Sequence, residues 1–182
     1  MKVRVAALKT NKRYEGIVKS LQLIEKDIKP PRTVLIKPNF VSTEIELAAT
    51  HVDACKAIMD FMLSKGVKRF IIAEGPAFSD ANEGYENFGY YKLKENYPVK
   101  FIDLNKTEWI ELEIYDRDFK KIKVKASILP LKYYTVSVTR AKTHDTVIVT
   151  LSIKNLVVGS LQGNFKRKIH QGYKAININL AK

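Results

Sequence analysis

The chain has 182 residues, 46% hydrophobic and 28% charged, a balance that fits a folded globular domain and excludes a disordered one. Its net charge of +13 is unevenly spread: 18 basic residues face 17 acidic ones through Asp116, and 14 face 2 from Arg117 onward. One cysteine, Cys55, excludes an internal disulfide and a four-thiolate cluster, and no apolar run approaches the roughly 20 residues of a membrane span.

The start, Met1-Lys2-Val3-Arg4-Val5, lacks the apolar core of a signal peptide, so a cytoplasmic protein with no membrane partner is expected. Val3 to Leu8 alternates in part and reads as a first strand. Asn11 to Ile28 carries Ile17, Val18, Leu21, Ile24 and Ile28 at helical spacing and is stopped by Pro30-Pro31. Val34-Leu35-Ile36 is a short apolar strand ended by Lys37-Pro38-Asn39, where proline removes a ladder donor. Thr50 is the expected N-cap of a helix bearing Val52, Cys55, Ile58, Met59 and Met62, with Gly66 as its stop and Cys55 as a buried small hydrophobe.

Phe70-Ile71-Ile72-Ala73 is a second buried strand, followed by Glu74-Gly75-Pro76. Asn82 to Tyr97 is helical with a break near Gly89 and leads into the strand Val99 to Asp103. Strands and helices alternate up to this point, which predicts an α/β fold with a doubly wound, mainly parallel sheet. Trp109 to Tyr115, the turn Asp116-Arg117-Asp118, and Ile122 with Val124 then read as an inserted antiparallel hairpin over about residues 108–126. Tyr134 to Val138 resumes the sheet. Thr146 to Val158 fits both periods and is read as helix, because it follows a strand and a polar loop. Gln171 to Lys182 starts a helix with no strand after it, so a single α/β domain over 1–182 is expected to have an open C-terminal end, completed by a partner chain, a homo-oligomer contact or a longer natural unit.

In a parallel sheet the loops after the strands share one edge, where open α/β folds bind ligands. Lys37 and Asn39, Glu74, and the run Lys142-Thr143-His144 fall there, joined by Ser152, Lys154 and Asn155 just beyond. The plainer reading of such residues is loop polarity and solvated lysine, and it is preferred for Asp103-Leu104-Asn105. His51, His144 and His170 all have polar or cationic neighbours; nearby lysines oppose a bound cation, so no metal site is expected. Phe165 to Gln171 is a basic run suited to the rim of an anion pocket. Gly159-Ser160-Leu161-Gln162-Gly163 lacks phosphate-loop spacing, and neither a dinucleotide fingerprint nor a hydrolase elbow is present.

Together these stretches resemble the DUF362 family: Val34 to Asn39, Thr50-His51, Glu74-Gly75-Pro76, Lys142-Thr143-His144, Thr150 to Asn155, His170 to Tyr173 and Ile176 to Asn179, in that order. Members of that family are mostly of unassigned function, and some carry fused ferredoxin-type cluster domains. This chain has no cysteine motif, and it stops where relatives continue into a second half. The leading expectation is therefore a strand-end crevice that holds an anionic small molecule or a cofactor of unspecified identity. Lys37, Lys142 and Lys154 would neutralise charge; Asn39, Thr143, Ser152, Asn155 and His170 would bind; His51, His144 and Glu74 are acid–base candidates. The alternatives are a nucleic-acid-binding module using the basic C-terminal third, and a subunit of a larger redox complex.

Overall fold

The computed structural model describes residues 3–77 and 79–182. Its centre is a four-stranded, all-parallel sheet of β1 (Thr33–Lys37), β2 (Arg69–Glu74), β3 (Val99–Asp103) and β6 (Tyr134–Ser137) in the order β3-β2-β1-β6. Val34, Ile36, Phe70 and Ile72 point to one face, which is covered by α1 (Arg13–Leu23), α2 (Val52–Ser64), α3 (Ala81–Asn87) and the 3₁₀ segment Tyr90–Glu95. Leu35, Ile71 and Ala73 point to the other, against Leu104 and Leu129 of α4 (Leu129–Lys132). Burial on both faces is why these strands read as continuous apolar runs.

The chain adds β2 and then β3 on one side of β1, and later returns to lay β6 on the other side. The crevice between the carboxyl ends of β1 and β6 is thus a topological switch point, the preferred ligand position of open α/β sheets. Two antiparallel ribbons stand apart from this sheet. One is β4 (Trp109–Tyr115) with β5 (Lys121–Ser127), and the other is β7 (Lys142–His144) with β8 (Ile148–Thr150). A second core joins Ile114, Val124, Val147, Val158, Leu161, Ile169 and Ile176, seating α5 (Ser152–Ser160), α6 (Phe165–Lys168) and α7 (Tyr173–Ala181) against the first ribbon.

Three local expectations are corrected. Residues 3–8 form no strand: Val3 and Val5 are 77% and 86% exposed, and alternation without a partner ladder or a face to cover makes no sheet. Thr150 and its neighbours form both elements that Thr146–Val158 fitted, since Ile148–Thr150 pairs with Lys142–His144 before Ser152 opens α5. His51, not Thr50, caps α2, its Nδ1 accepting from the Asp53 N–H at 3.2 Å. The expected stops hold: Gly66 and Gly89 take left-handed φ of 89° and 70°, ending α2 and breaking the segment after α3.

Candidate functional site

Every strand of the main sheet ends in a polar residue at the shared edge: Lys37, Glu74, Asp103 and Ser137. Lys37 is fully buried. Its ammonium donates to Asn155 Oδ1 (3.0 Å), Pro38 O (3.3 Å) and Glu74 Oε1 (3.5 Å), three acceptors for three protons. Glu74 is 1% exposed, and its Oε1 also accepts from the Phe40 N–H at 2.9 Å. Burial pushes the Glu74 carboxyl up and the Lys37 ammonium down, each opposed by the charge of the other.

Asn155, in the first turn of α5, ties the crevice together. Its Oδ1 accepts from Lys37 and from Asn39 Nδ2 (3.2 Å), while its Nδ2 donates to Lys37 O (3.1 Å) and Ser137 Oγ (3.0 Å). All four hydrogen-bonding positions of the amide are used, so Asn155 is held without freedom to flip. Asn39 continues the chain, since Lys142 Nζ donates to Asn39 Oδ1 and to Ala48 O, both at 2.6 Å. Gly159 passes so close that a Cβ there would sit 2.4 Å from Lys37 Nζ.

A cavity of about 480 Å³ opens over this floor. Its basic wall includes Lys154, Lys166, His144 and His170, with Glu74 and Asn155 beneath. The imidazoles of His144 and His170 stack, centroids 5.7 Å apart and planes 12° from parallel. His170 Nδ1 donates to Lys166 O at 2.7 Å. His144 Nδ1 lies 2.8 Å from Asp145 Oδ1 and 3.1 Å from the Thr146 N–H, and its Nε2 lies 3.0 Å from Lys154 Nζ. Desolvation, with Lys154 beside it, lowers the pKa of His144; desolvation likewise lowers His170 and Lys154.

Lys166 has only 5% of its surface exposed. It donates to Asn105 Oδ1 at 2.7 Å and to Leu161 O, and burial brings its pKa down to about 8. From sequence, Lys166 is only one member of a basic rim, and the Asp103–Asn105 cluster reads as a turn. Burial of one lysine in a basic run depends on α6 packing over Asn105, which no local pattern reveals. Thr50, expected to cap α2, has a different role. Its Oγ1 instead accepts from the Asn39 N–H (2.9 Å) and donates to Val138 O (2.7 Å), pinning the β1 loop to the end of β6.

The structure therefore brings Lys37, Asn39, Glu74, Lys142 and Asn155 into one network, and His144, Lys154 and His170 onto the cavity wall. It places three others elsewhere. Thr143 is exposed on β7, opposite Val149, and Ser152 borders a different, shallower groove. His51 caps α2 between Glu46 and Asp53, away from the cavity lining.

A family model described as "Domain of unknown function (DUF362)" matches residues 34–181, from β1 through α7. The chain belongs to the DUF362 family. The matched span contains the whole buried network and the whole basic wall of the crevice. Neither the curated proteins nor the solved structures gave a match to this DUF362 chain. Among the described residues no helix is long and apolar enough to cross a membrane.

Proposed function

We propose that this DUF362 chain binds an anionic small molecule or cofactor in the crevice at the switch point. Lys154 and Lys166 neutralise its charge, Asn39 offers a hydrogen bond, and the stacked His144–His170 pair exchanges protons with it. The observation that carries this reading is the cavity wall itself: two half-to-fully buried lysines and two histidines facing about 480 Å³ of space, above a rigid buried network. Cationic groups withdrawn from water gain most from an incoming anion, and the volume suits a metabolite-sized molecule.

The placement of the other lysines favours a small molecule over a nucleic acid. Lys121, Lys123 and Lys132 pair with Glu113, Glu111 and Glu108, and Lys125 lies over the Trp109 ring at 3.6 Å. Lys142, Lys154 and Lys166 turn inward to the network and the crevice. Half of the fourteen basic residues from Arg117 onward are thus paired, stacked or turned inward rather than left free to meet phosphates. The test is calorimetric titration with inorganic phosphate, phosphomonoesters and dicarboxylates, on wild type and Lys154→Ala. Binding that weakens about ten-fold in the variant, the loss of one charge-assisted contact, supports the reading. Failure of every anion to bind at about 10 mM, some ten-fold above the roughly 1 mM upper end of ordinary enzyme–substrate constants, would overturn it.

A further inference from the structure

We infer that the ligand is not a bare anion but one that also bears a hydrogen-bond donor, an O–H or N–H group, which Glu74 Oε2 accepts. The inference rests on the crevice reading above and deepens it. Glu74 ends β2 at the cavity and is 1% exposed. Its Oε1 is occupied by the Phe40 N–H and the Lys37 ammonium, whereas its Oε2 has no hydrogen-bond partner among the described residues. Buried carboxylate oxygens are rarely left so, because removal from water costs them bonds that the fold must replace.

The group is a carboxylate rather than an acid. Lys37 is fully buried and has its three protons matched by three acceptors, and a neutral Glu74 would leave that ammonium uncompensated. Lys154, Lys166 and Asn39 on the wall are donors able to meet an anion. Of the two carboxylates on the lining, Asp145 is 89% exposed and lies 2.8 Å from His144 Nδ1, whereas Glu74 is buried: an incoming negative charge with nothing to offer Oε2 would be repelled by it at short range in a low-dielectric pocket. A ligand whose donor reaches Oε2 turns that repulsion into a charge-assisted hydrogen bond and removes the unmet acceptor. Fixation of Oε1 by two donors also holds Oε2 in one place, the arrangement a proton-accepting carboxylate needs.

Three matched probes separate the possibilities: ethyl phosphate, 2-hydroxyethyl phosphate and 2-aminoethyl phosphate, titrated calorimetrically into the full chain at neutral pH. The inference expects at least one donor-bearing probe to bind about ten-fold or more tightly than ethyl phosphate, and which one it is distinguishes hydroxyl from amine. Glu74→Gln, whose amide presents donors as well as an acceptor, is expected to bring the preference to within about two-fold. Equal wild-type affinity for all three probes overturns the inference and leaves the anion site standing. Absence of binding by all three, with inorganic phosphate and dicarboxylates also failing to bind, overturns the anion site too. The wild-type comparison stands even if Glu74→Gln does not fold, and a folded variant that keeps the preference also overturns the inference.

Discussion

Gly159→Ala is the substitution whose effect the structure sets most tightly. Gly159 lies one residue from the end of α5, and its φ is not in the left-handed region, so alanine is conformationally allowed there. On propensity alone the change would stabilise the helix by up to about 1 kcal/mol. The added Cβ, however, would lie 2.4 Å from Lys37 Nζ, 2.8 Å from Lys37 Cε and 3.3 Å from Asn155 Oδ1. A lysine head group can usually swing aside, but this one is fully buried and held by Asn155, Pro38 and Glu74. Overpacking of a filled interior costs about 1–3 kcal/mol, and displacing Nζ from one acceptor leaves a buried polar group unpaired for about 1–3 kcal/mol more. Set against the propensity gain, a net loss of about 1–5 kcal/mol is expected from these three contributions. Urea unfolding followed by circular dichroism reads it as a lower midpoint at unchanged slope. A midpoint equal to or above wild type would show that Lys37 is not locked, and the rigid floor of the crevice would have to be abandoned.

Lys37→Met leaves Glu74 buried without its cation and is expected to cost about 3–5 kcal/mol in the same assay, much of it restored in Lys37→Met/Glu74→Gln. Thr50→Val removes the acceptor of the Asn39 N–H and the donor to Val138 O and should cost about 1–3 kcal/mol, while Thr50→Ser should lie near wild type. Lys166 holds its proton less tightly when folded (about 8) than its ordinary value of 10.5. The unfolded chain then binds more protons between those values, so this residue adds stability as pH rises from about 8 to 10.5, by at most about 3 kcal/mol. Lys166→Met should flatten that rise in pH-dependent unfolding curves. His144 and His170 are both held below 6.5, so their share of stability is complete above that pH and declines as pH falls from it toward their folded values. Proton NMR titration of the two imidazoles should give midpoints below 6.5, and midpoints above it would contradict the desolvated stack.

The parts of the fold legible in the sequence are those governed by local pattern. Val34-Leu35-Ile36 and Phe70-Ile71-Ile72-Ala73 are apolar on every residue because both sheet faces are covered, and their polar ends, Lys37 and Glu74, mark the carboxyl edge of the sheet directly. Gly66 and Gly89 were readable as stops because only glycine takes their φ easily. What was illegible depends on long-range packing. Val3 and Val5 alternate as a strand does, yet no ladder receives them. Lys166 looks like its exposed neighbours Arg167 and Lys168 until α6 folds over Asn105. Thr143 and Ser152 sit within a few residues of the wall but point elsewhere, since a period-two ribbon and a helix start send adjacent side chains to different sides.

The central claim, that the crevice retains an anionic metabolite, is tested most directly by native and denaturing mass spectrometry on one sample. Wild-type protein and Lys154→Glu, each incubated with the small-molecule fraction of a cell extract and then desalted, would be compared side by side. The account predicts an added mass on native wild type that is lost on denaturation, identifies as an anion, and is absent from Lys154→Glu. The bare chain mass for wild type, or the same added mass on both proteins, would contradict it.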